Sequence, residues 1–222
     1  MMFKTFKKKR TRMQKYTSVA LPLVLAGGWL YPPFGFTLLI CMFGAVGIAL
    51  YNGRAWCDWM CPRGSFYDLV LDRLSRKHPV PALFKTNWFR AVILSMLMTA
   101  LGIQIYYAWG DSYGIGHAFV LVLTITTAAG IILGSVFKPR AWCHICPMGT
   151  LGNWLSRGKR PLYVSEHCKD CNLCEKVCPM QLKPYENKAG VMTDGDCLKC
   201  SSCVAACPVK ALEFKKEMKK AA

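Results

Sequence analysis

The sequence predicts a membrane all-α four-helix bundle, made of two repeated hairpins, followed by a small α+β domain. Three observations predict it. Four apolar segments without Asp, Glu, Lys or Arg lie between residues 17 and 137. The stretch "RAWCDWMCPRGS" (54–65) returns 86 residues later as "RAWCHICPMGT" (140–150), each copy following a pair of those segments. Residues 158–222 read as soluble and hold eight of the thirteen cysteines. The chain therefore divides into a membrane domain, 1–157, and a second domain, 158–222.

The spans are expected at about 17–31, 34–51, 91–110 and 117–137. The last two approach or reach the roughly 20 residues a membrane helix needs, and flanking residues extend the first two. Pro32-Pro33 splits the first pair, because a helix does not continue through it. Residues 1–31 also have the basic start and apolar middle of a signal peptide. No small-x-small cleavage site follows, so the first span is read as a retained anchor.

Charge sets the orientation. Residues 1–16, 53–90 and 138–222 carry seven, seven and fifteen of the 29 Lys and Arg. The connections at 32–33 and 111–116 carry none. By the positive-inside rule both termini, the 53–90 loop and the second domain are cytoplasmic, in a bacterial inner membrane. This topology also explains the net charge of +17 without a nucleic-acid partner. Trp29 and Trp109 at the outer ends, and Trp56, Trp59, Trp88, Trp142 and Trp154 near the inner boundary, read as an aromatic belt. Gly130 and Gly134 form a Gly-x-x-x-Gly pair that lets the fourth span pack closely.

Each hairpin leads into a Cys-Pro motif and a short amphipathic stretch, 64–77 and 149–160. These stretches are read as interfacial helices lying on the headgroups. The repeat brings Cys57 and Cys61 near Cys143 and Cys146. Cys41, alone in an apolar run, is read as a buried small hydrophobe.

Twelve cysteines form four tight groups, the habit of metal ligands rather than of a disulfide scaffold. The strongest signal is "CKDCNLCEKVCP" (168–179), repeated as "CLKCSSCVAACP" (197–208). Both are C-x2-C-x2-C-x3-C-P, the run that binds two [4Fe-4S] clusters, the fourth cysteine of each run serving the other cluster. Cluster one takes Cys168, Cys171, Cys174 and Cys207; cluster two takes Cys197, Cys200, Cys203 and Cys178. "LYV" (162–164) and "ALEF" (211–214) are expected as edge strands, with 190–197 in part of a hairpin. Over residues 160–215 the chain resembles the bacterial two-[4Fe-4S] ferredoxins. His167 is read as exposed. The tail "KKEMKKAA" is read as a solvated end, with anionic lipid or an acidic partner as its other contact.

With the four spans and the two Cys-Pro motifs, nearly the whole chain resembles the NapH/MauN family of membrane ferredoxin-type proteins. That resemblance implies quinol oxidation and electron supply. The first copy, Cys57 to Pro62, matches the family's C-x3-C-P. The second, Cys143 to Pro147, is one residue short.

Three chemistries fit the membrane-edge cysteines: a third iron–sulfur cluster on Cys57, Cys61, Cys143 and Cys146, a pair of redox dithiols, or a soft metal such as copper or zinc. His144 is read as an orienting or exposed residue. Arg54 and Arg140 serve either as headgroup anchors or as hydrogen-bond donors to thiolate or cluster sulfur. Asp111 and His117 are read as an outer polar loop, with proton acceptance from a quinol as the sharper role.

The chain lacks a dinucleotide fingerprint, a P-loop and a nucleophile–base pair. The expected function is an integral membrane electron carrier between quinone, or a membrane partner, and a redox enzyme. The alternative is a copper reductase or a metalloenzyme maturation factor.

Overall fold

The computed structural model describes residues 2–215. The end of the basic tail, residues 216–222, lies outside the described residues. The chain is mostly helical. α1 (Met2–Leu30) is one helix of 29 residues. It starts well before the expected first span, because residues 3–16 contain neither Gly nor Pro and are rich in Lys and Arg, good helix formers. A 3-10 turn at Pro32–Phe36, begun by the two prolines, reverses the chain into α2 (Thr37–Asn52).

α3 (Ala55–Trp59), α4 (Pro62–Phe66), a π turn at Tyr67–Leu71 and α5 (Asp72–Leu74) form one short helical segment. α6 (Asn87–Tyr107) and α7 (Ser112–Val136) make the second hairpin. α6 ends before residue 110, where Gly110 takes φ +91°. α7 begins five residues before the expected span because Asp111 caps it, accepting from the amides of Tyr113 and Gly114 at 3.0 Å. α8 (Trp142–Ile145) and α9 (Pro147–Leu155) follow.

Three helical stretches, Pro32–Asn52, Asn87–Tyr107 and Ser112–Val136, are long and apolar enough to cross a membrane. The apolar half of α1 runs beside α7. A Cβ on Gly28 would meet Val120, and Trp29 Nε1 donates to Thr124 Oγ1 at 3.2 Å.

Several expectations change. The amphipathic stretches do not lie flat on an interface: Tyr67, Leu71 and Thr150 are fully or almost fully buried, and Asn153 is buried. The Gly-x-x-x-Gly face does admit a close neighbour, but not another span. A Cβ on Gly130 would overlap the Tyr67 hydroxyl, and one on Gly134 would meet Leu71 Cδ1 at 2.6 Å. Nor is every inner tryptophan an interface anchor. Trp142 is buried, and Trp56 lies against Gly44 of α2. Cys41 is half-buried and lines a cavity.

The second domain has strands where they were expected, but 162–164 is not an edge strand, because both of its sides are paired. β1 (Leu162–Val164) is central, with β2 (Val191–Met192) and β3 (Leu212–Phe214) antiparallel on either side. Leu162 and Val164, both fully buried, point into a core with Met180, Leu198 and the cysteines. α10 (Leu173–Lys176) and α11 (Ser202–Ala206) each hold the third cysteine of a run.

Candidate metal centres

The two C-terminal runs are copies in backbone as well as in sequence. Asp170, Asn172 and Gln181 take positive φ, as do Lys199, Ser201 and Lys210. Each pair is separated by the spacing of Cys168 and Cys197. Left-handed residues without a glycine are uncommon, and they cluster where function sets the backbone. Here they recur at matching places within and just after the two cysteine runs. The fourth cysteines are matched too. Leu182 N donates to Cys178 Sγ at 3.4 Å, and Ala211 N to Cys207 Sγ at 3.3 Å.

The structure brings the cysteines of each expected set near one another. Cys168, Cys171, Cys174 and Cys207 line one small cavity. Burial pushes the Cys203 thiol up, and the neighbouring Cys200, Cys197 and Cys178 push it further. These are the two sets of four expected from the sequence. Cys171 is exposed, whereas Cys197, Cys200 and Cys203 are buried.

The membrane-edge motifs also meet. Cys57, Cys61, Cys143 and Cys146 line a single cavity of about 130 Å³. α1 closes it with Leu21 and Val24, and α2 with Leu38, Cys41 and Met42. Burial raises the Cys57 thiol to about 11, against the lowering effect of Arg54. In each motif the second cysteine is the N-cap of a helix with proline at its first turn, Cys61 before Pro62 and Cys146 before Pro147. The residue missing from the second copy shortens only the helical turn between the cysteines, α8 against α3. It does not disturb the frame.

That frame is reciprocal. Arg54 Nη2 donates to the carbonyl of Cys143 at 2.8 Å. Arg140 Nη1 donates to the carbonyl of Cys57 at 3.0 Å. Both arginines are 1% exposed, so neither is a headgroup anchor. Glycine is needed beside each carbonyl: a Cβ on Gly64 would stand 2.8 Å from Cys57 O, and one on Gly149 2.5 Å from Cys143 O.

Buried acids answer the arginines. Arg140 makes a forked pair with Asp68 at 2.8 Å and reaches Asp58 at 3.2 Å. Arg10 of α1 joins both acids. Arg54 meets Asp196 at 2.6 Å, as does Arg90 at 2.5 Å. His144 Nδ1 lies 3.3 Å from the same carboxylate, and burial lowers its pKa. His144 is thus an orienting residue rather than an exposed one. Arg54 and Arg140 stood out in the sequence through their repetition. Asp58, Asp68, Arg90 and Asp196 did not, because a lone charged residue that is not repeated leaves no pattern in the sequence.

Two buried donors around the cavity lack partners: Arg54 Nε and Trp142 Nε1. Both residues line the space the four cysteines enclose. Unpaired buried N–H groups are costly, and sulfide or thiolate sulfur is the acceptor chemistry that fits them. Among the described residues no three His, Cys, Asp or Glu side chains close on a single ion. Asp111 is occupied by capping, and His117 packs edge-on to Trp29 at 5.4 Å between ring centroids.

Comparison with known proteins agrees. A family model described as a 4Fe-4S binding domain matches residues 34–81 and 120–164, the segments that carry the Cys-Pro motifs. A second, described as a 4Fe-4S dicluster domain, matches residues 167–212. An uncharacterized protein of Methanocaldococcus jannaschii is 29% identical over 188 residues, covering 79% of this chain and 77% of its own. The putative electron transport protein YccM of Escherichia coli is 26% identical, covering 77% and 53%. The ferredoxin-type protein NapH of Escherichia coli is 28% identical, covering 76% and 65%. No solved structure matches the chain. The chain is an iron–sulfur electron-transfer protein with a 4Fe-4S binding domain and a 4Fe-4S dicluster domain, similar to the NapH and MauN ferredoxin-type proteins.

Proposed function

We propose that the protein is an integral membrane electron carrier, with residues 1–157 forming a four-span membrane domain and residues 158–222 a cytoplasmic ferredoxin domain. It passes electrons between the quinone pool, or a membrane partner, and a redox enzyme in the cytoplasmic membrane. The ferredoxin cysteines hold two [4Fe-4S] clusters in the crossed sets given above. Cys57, Cys61, Cys143 and Cys146 hold a third. The clusters, when bound, supply one-electron transfer at potentials set by their surroundings.

The observation that carries this reading is the shared cavity: four cysteines from two distant motifs, with two unpartnered N–H donors beside them. Charge points the same way. Arg54 and Arg90 share one buried carboxylate, which leaves a positive excess beside the cysteines. An anionic thiolate-bound cluster balances that excess; a neutral dithiol does not. Membrane insertion is supported by large apolar side chains left exposed along the long helices, among them Leu23, Ile40, Phe43, Met96, Ile103 and Ile132. A surface belt of that kind marks a membrane or partner contact.

The path order rests on contact and exposure. Asp196, next to Cys197, meets Arg54 at 2.6 Å and His144 at 3.3 Å, one from each Cys-Pro motif. Cluster two therefore faces the membrane-edge site, and cluster one, with exposed Cys171, faces the soluble or peripheral partner. A quinone approaching from the lipid side would meet the apolar wall that α1 and α2 place over the cysteine cavity.

The test is iron and acid-labile sulfide analysis of protein purified without oxygen. Three clusters give about twelve irons per chain, and the Cys57→Ser and Cys143→Ser variants fall to about eight. About eight in all three proteins would remove the membrane-edge cluster.

A further inference from the structure

We propose that Asp196 is the positioning residue that fixes the ferredoxin domain against the membrane-edge cysteines and so sets electron passage between them. The inference rests on the electron-carrier reading above and adds the device that couples its two halves. Asp196 immediately precedes Cys197, the first cysteine of the second run. It is 3% exposed.

Its backbone amide stays within its own loop, donating to Asp194 Oδ1 at 2.8 Å. Its side chain does not. Every side-chain partner lies in residues 1–157, on four different segments: Arg54 Nη1 at 2.6 Å, Arg90 Nη2 at 2.5 Å, His144 Nδ1 at 3.3 Å and Asn153 Nδ2 at 2.8 Å. Two of these partners belong to the Cys-Pro motifs themselves. Arg54 holds the Cys143 carbonyl with its other terminal nitrogen, and His144 follows Cys143 in the chain. One carboxylate therefore ties Cys197, on the ferredoxin side, to both membrane-edge motifs.

The contact is close as well as charged. A Cβ on Gly195 would stand 2.7 Å from Asn153 O, and Ser156 Oγ donates to Gly195 O at 3.3 Å. Removing one member of a buried charge network leaves the others unpaired, a large perturbation. Here the stranded charges are Arg54 and Arg90, on the membrane side, whereas the ferredoxin fold keeps its own core of Leu162, Val164, Met180 and Leu198. Loss of Asp196 should separate the halves before it unfolds either one.

The experiment uses the full chain in lipid nanodiscs, as native protein and as the Asp196→Asn and Arg90→Gln variants, with Asp194→Asn as a loop control. Three quantities are measured: hydrogen exchange at residues 53–57 and 150–156, reduction of the ferredoxin clusters by dithionite, and their reduction by a water-soluble quinol. Asp196→Asn should lose exchange protection in both segments and slow quinol-driven reduction at least ~10-fold, since small misplacements carry large rate penalties. Dithionite reduction and the ferredoxin spectrum should stay as in the native protein. Arg90→Gln should shift both readouts in the same direction by less, and Asp194→Asn should shift neither.

Unchanged exchange protection in Asp196→Asn overturns the proposal. So does loss of its ferredoxin clusters, because Asp196 would then serve folding rather than coupling. If quinol fails to reduce even the native protein, the carrier reading fails, and the exchange measurement still decides the role of Asp196.

Discussion

Arg54 donates to the backbone carbonyl of Cys143, 89 residues away, at 2.8 Å. Arg140 returns the same bond to Cys57 at 3.0 Å. Each Cys-Pro motif is thus held in shape by the arginine of the other copy. Lysine cannot replace this, because one guanidinium nitrogen grips the carbonyl while others grip a carboxylate. Arg54→Lys and Arg140→Lys should each lose iron from the membrane-edge site and leave the ferredoxin spectrum intact. Breaking a buried pair costs on the order of 3–5 kcal/mol, so Arg→Ala at either position should also lower the thermal midpoint. Iron analysis and thermal unfolding in detergent check both outcomes, and native iron content in Arg140→Lys would refute the reciprocal frame.

The glycines offer a test with its own control. Gly64 and Gly149 face the carbonyls of Cys57 and Cys143, where a Cβ has no room. Gly47 and Gly102 have nothing within 4 Å. Gly64→Ala and Gly149→Ala should destabilise by about 1–3 kcal/mol through overpacking. Gly47→Ala and Gly102→Ala, in open helical positions, should be neutral or stabilise by up to about 1 kcal/mol. The order of thermal midpoints among the four variants is the measurement.

Much of this was legible in the sequence, and the limits have physical causes. The eight ferredoxin cysteines and the strands at 162–164 and 212–214 are visible because ligand spacing and period-two burial leave local patterns. The meeting of the two Cys-Pro motifs is visible because a duplication implies two similar environments. The burial of Arg54 and Arg140 was not. An arginine beside an apolar helix has the same sequence signature whether it caps a lipid surface or enters a charge network, and its partners Asp68 and Asp196 are 72 and 142 residues away. The use of Gly130 and Gly134 was half legible: small residues announce a close neighbour but do not name it.

That neighbour is Tyr67. Its ring fills the space over Gly130, and its hydroxyl donates to Thr127 O at 3.2 Å. Gly130→Ala should therefore be more disruptive than Tyr67→Phe. The first forces the π turn at Tyr67–Leu71 off α7, at about 1–3 kcal/mol or more. The second removes one hydrogen bond, at about 1 kcal/mol. Thermal midpoints of the two variants give the ranking, and equal losses would mean that close packing at Gly130 contributes little.

The crossed ligand sets predict which cluster each fourth cysteine serves. Cys207 lines the cavity of Cys168, Cys171 and Cys174, and Cys178 sits beside Cys197 and Cys203. Cys207→Ser should alter the exposed cluster, with Cys171 at its surface, and leave the one that faces Cys57 and Cys143. Cys178→Ser should do the reverse. Paramagnetic spectra separate the cases if an aqueous spin relaxant is added, since only the exposed cluster responds strongly. Because each run lends a ligand to the other, removing iron should release both loops together. Seven of the eight cysteines of this domain belong to its core, Cys174, Cys197, Cys200 and Cys203 within it and Cys168, Cys178 and Cys207 packed against it, so little would hold residues 162–214 without metal. Iron chelation under reducing conditions should then abolish exchange protection across that range and leave α6 and α7 protected. Retained protection at Leu162 and Val164 after full iron loss would show a ferredoxin fold that stands without its clusters.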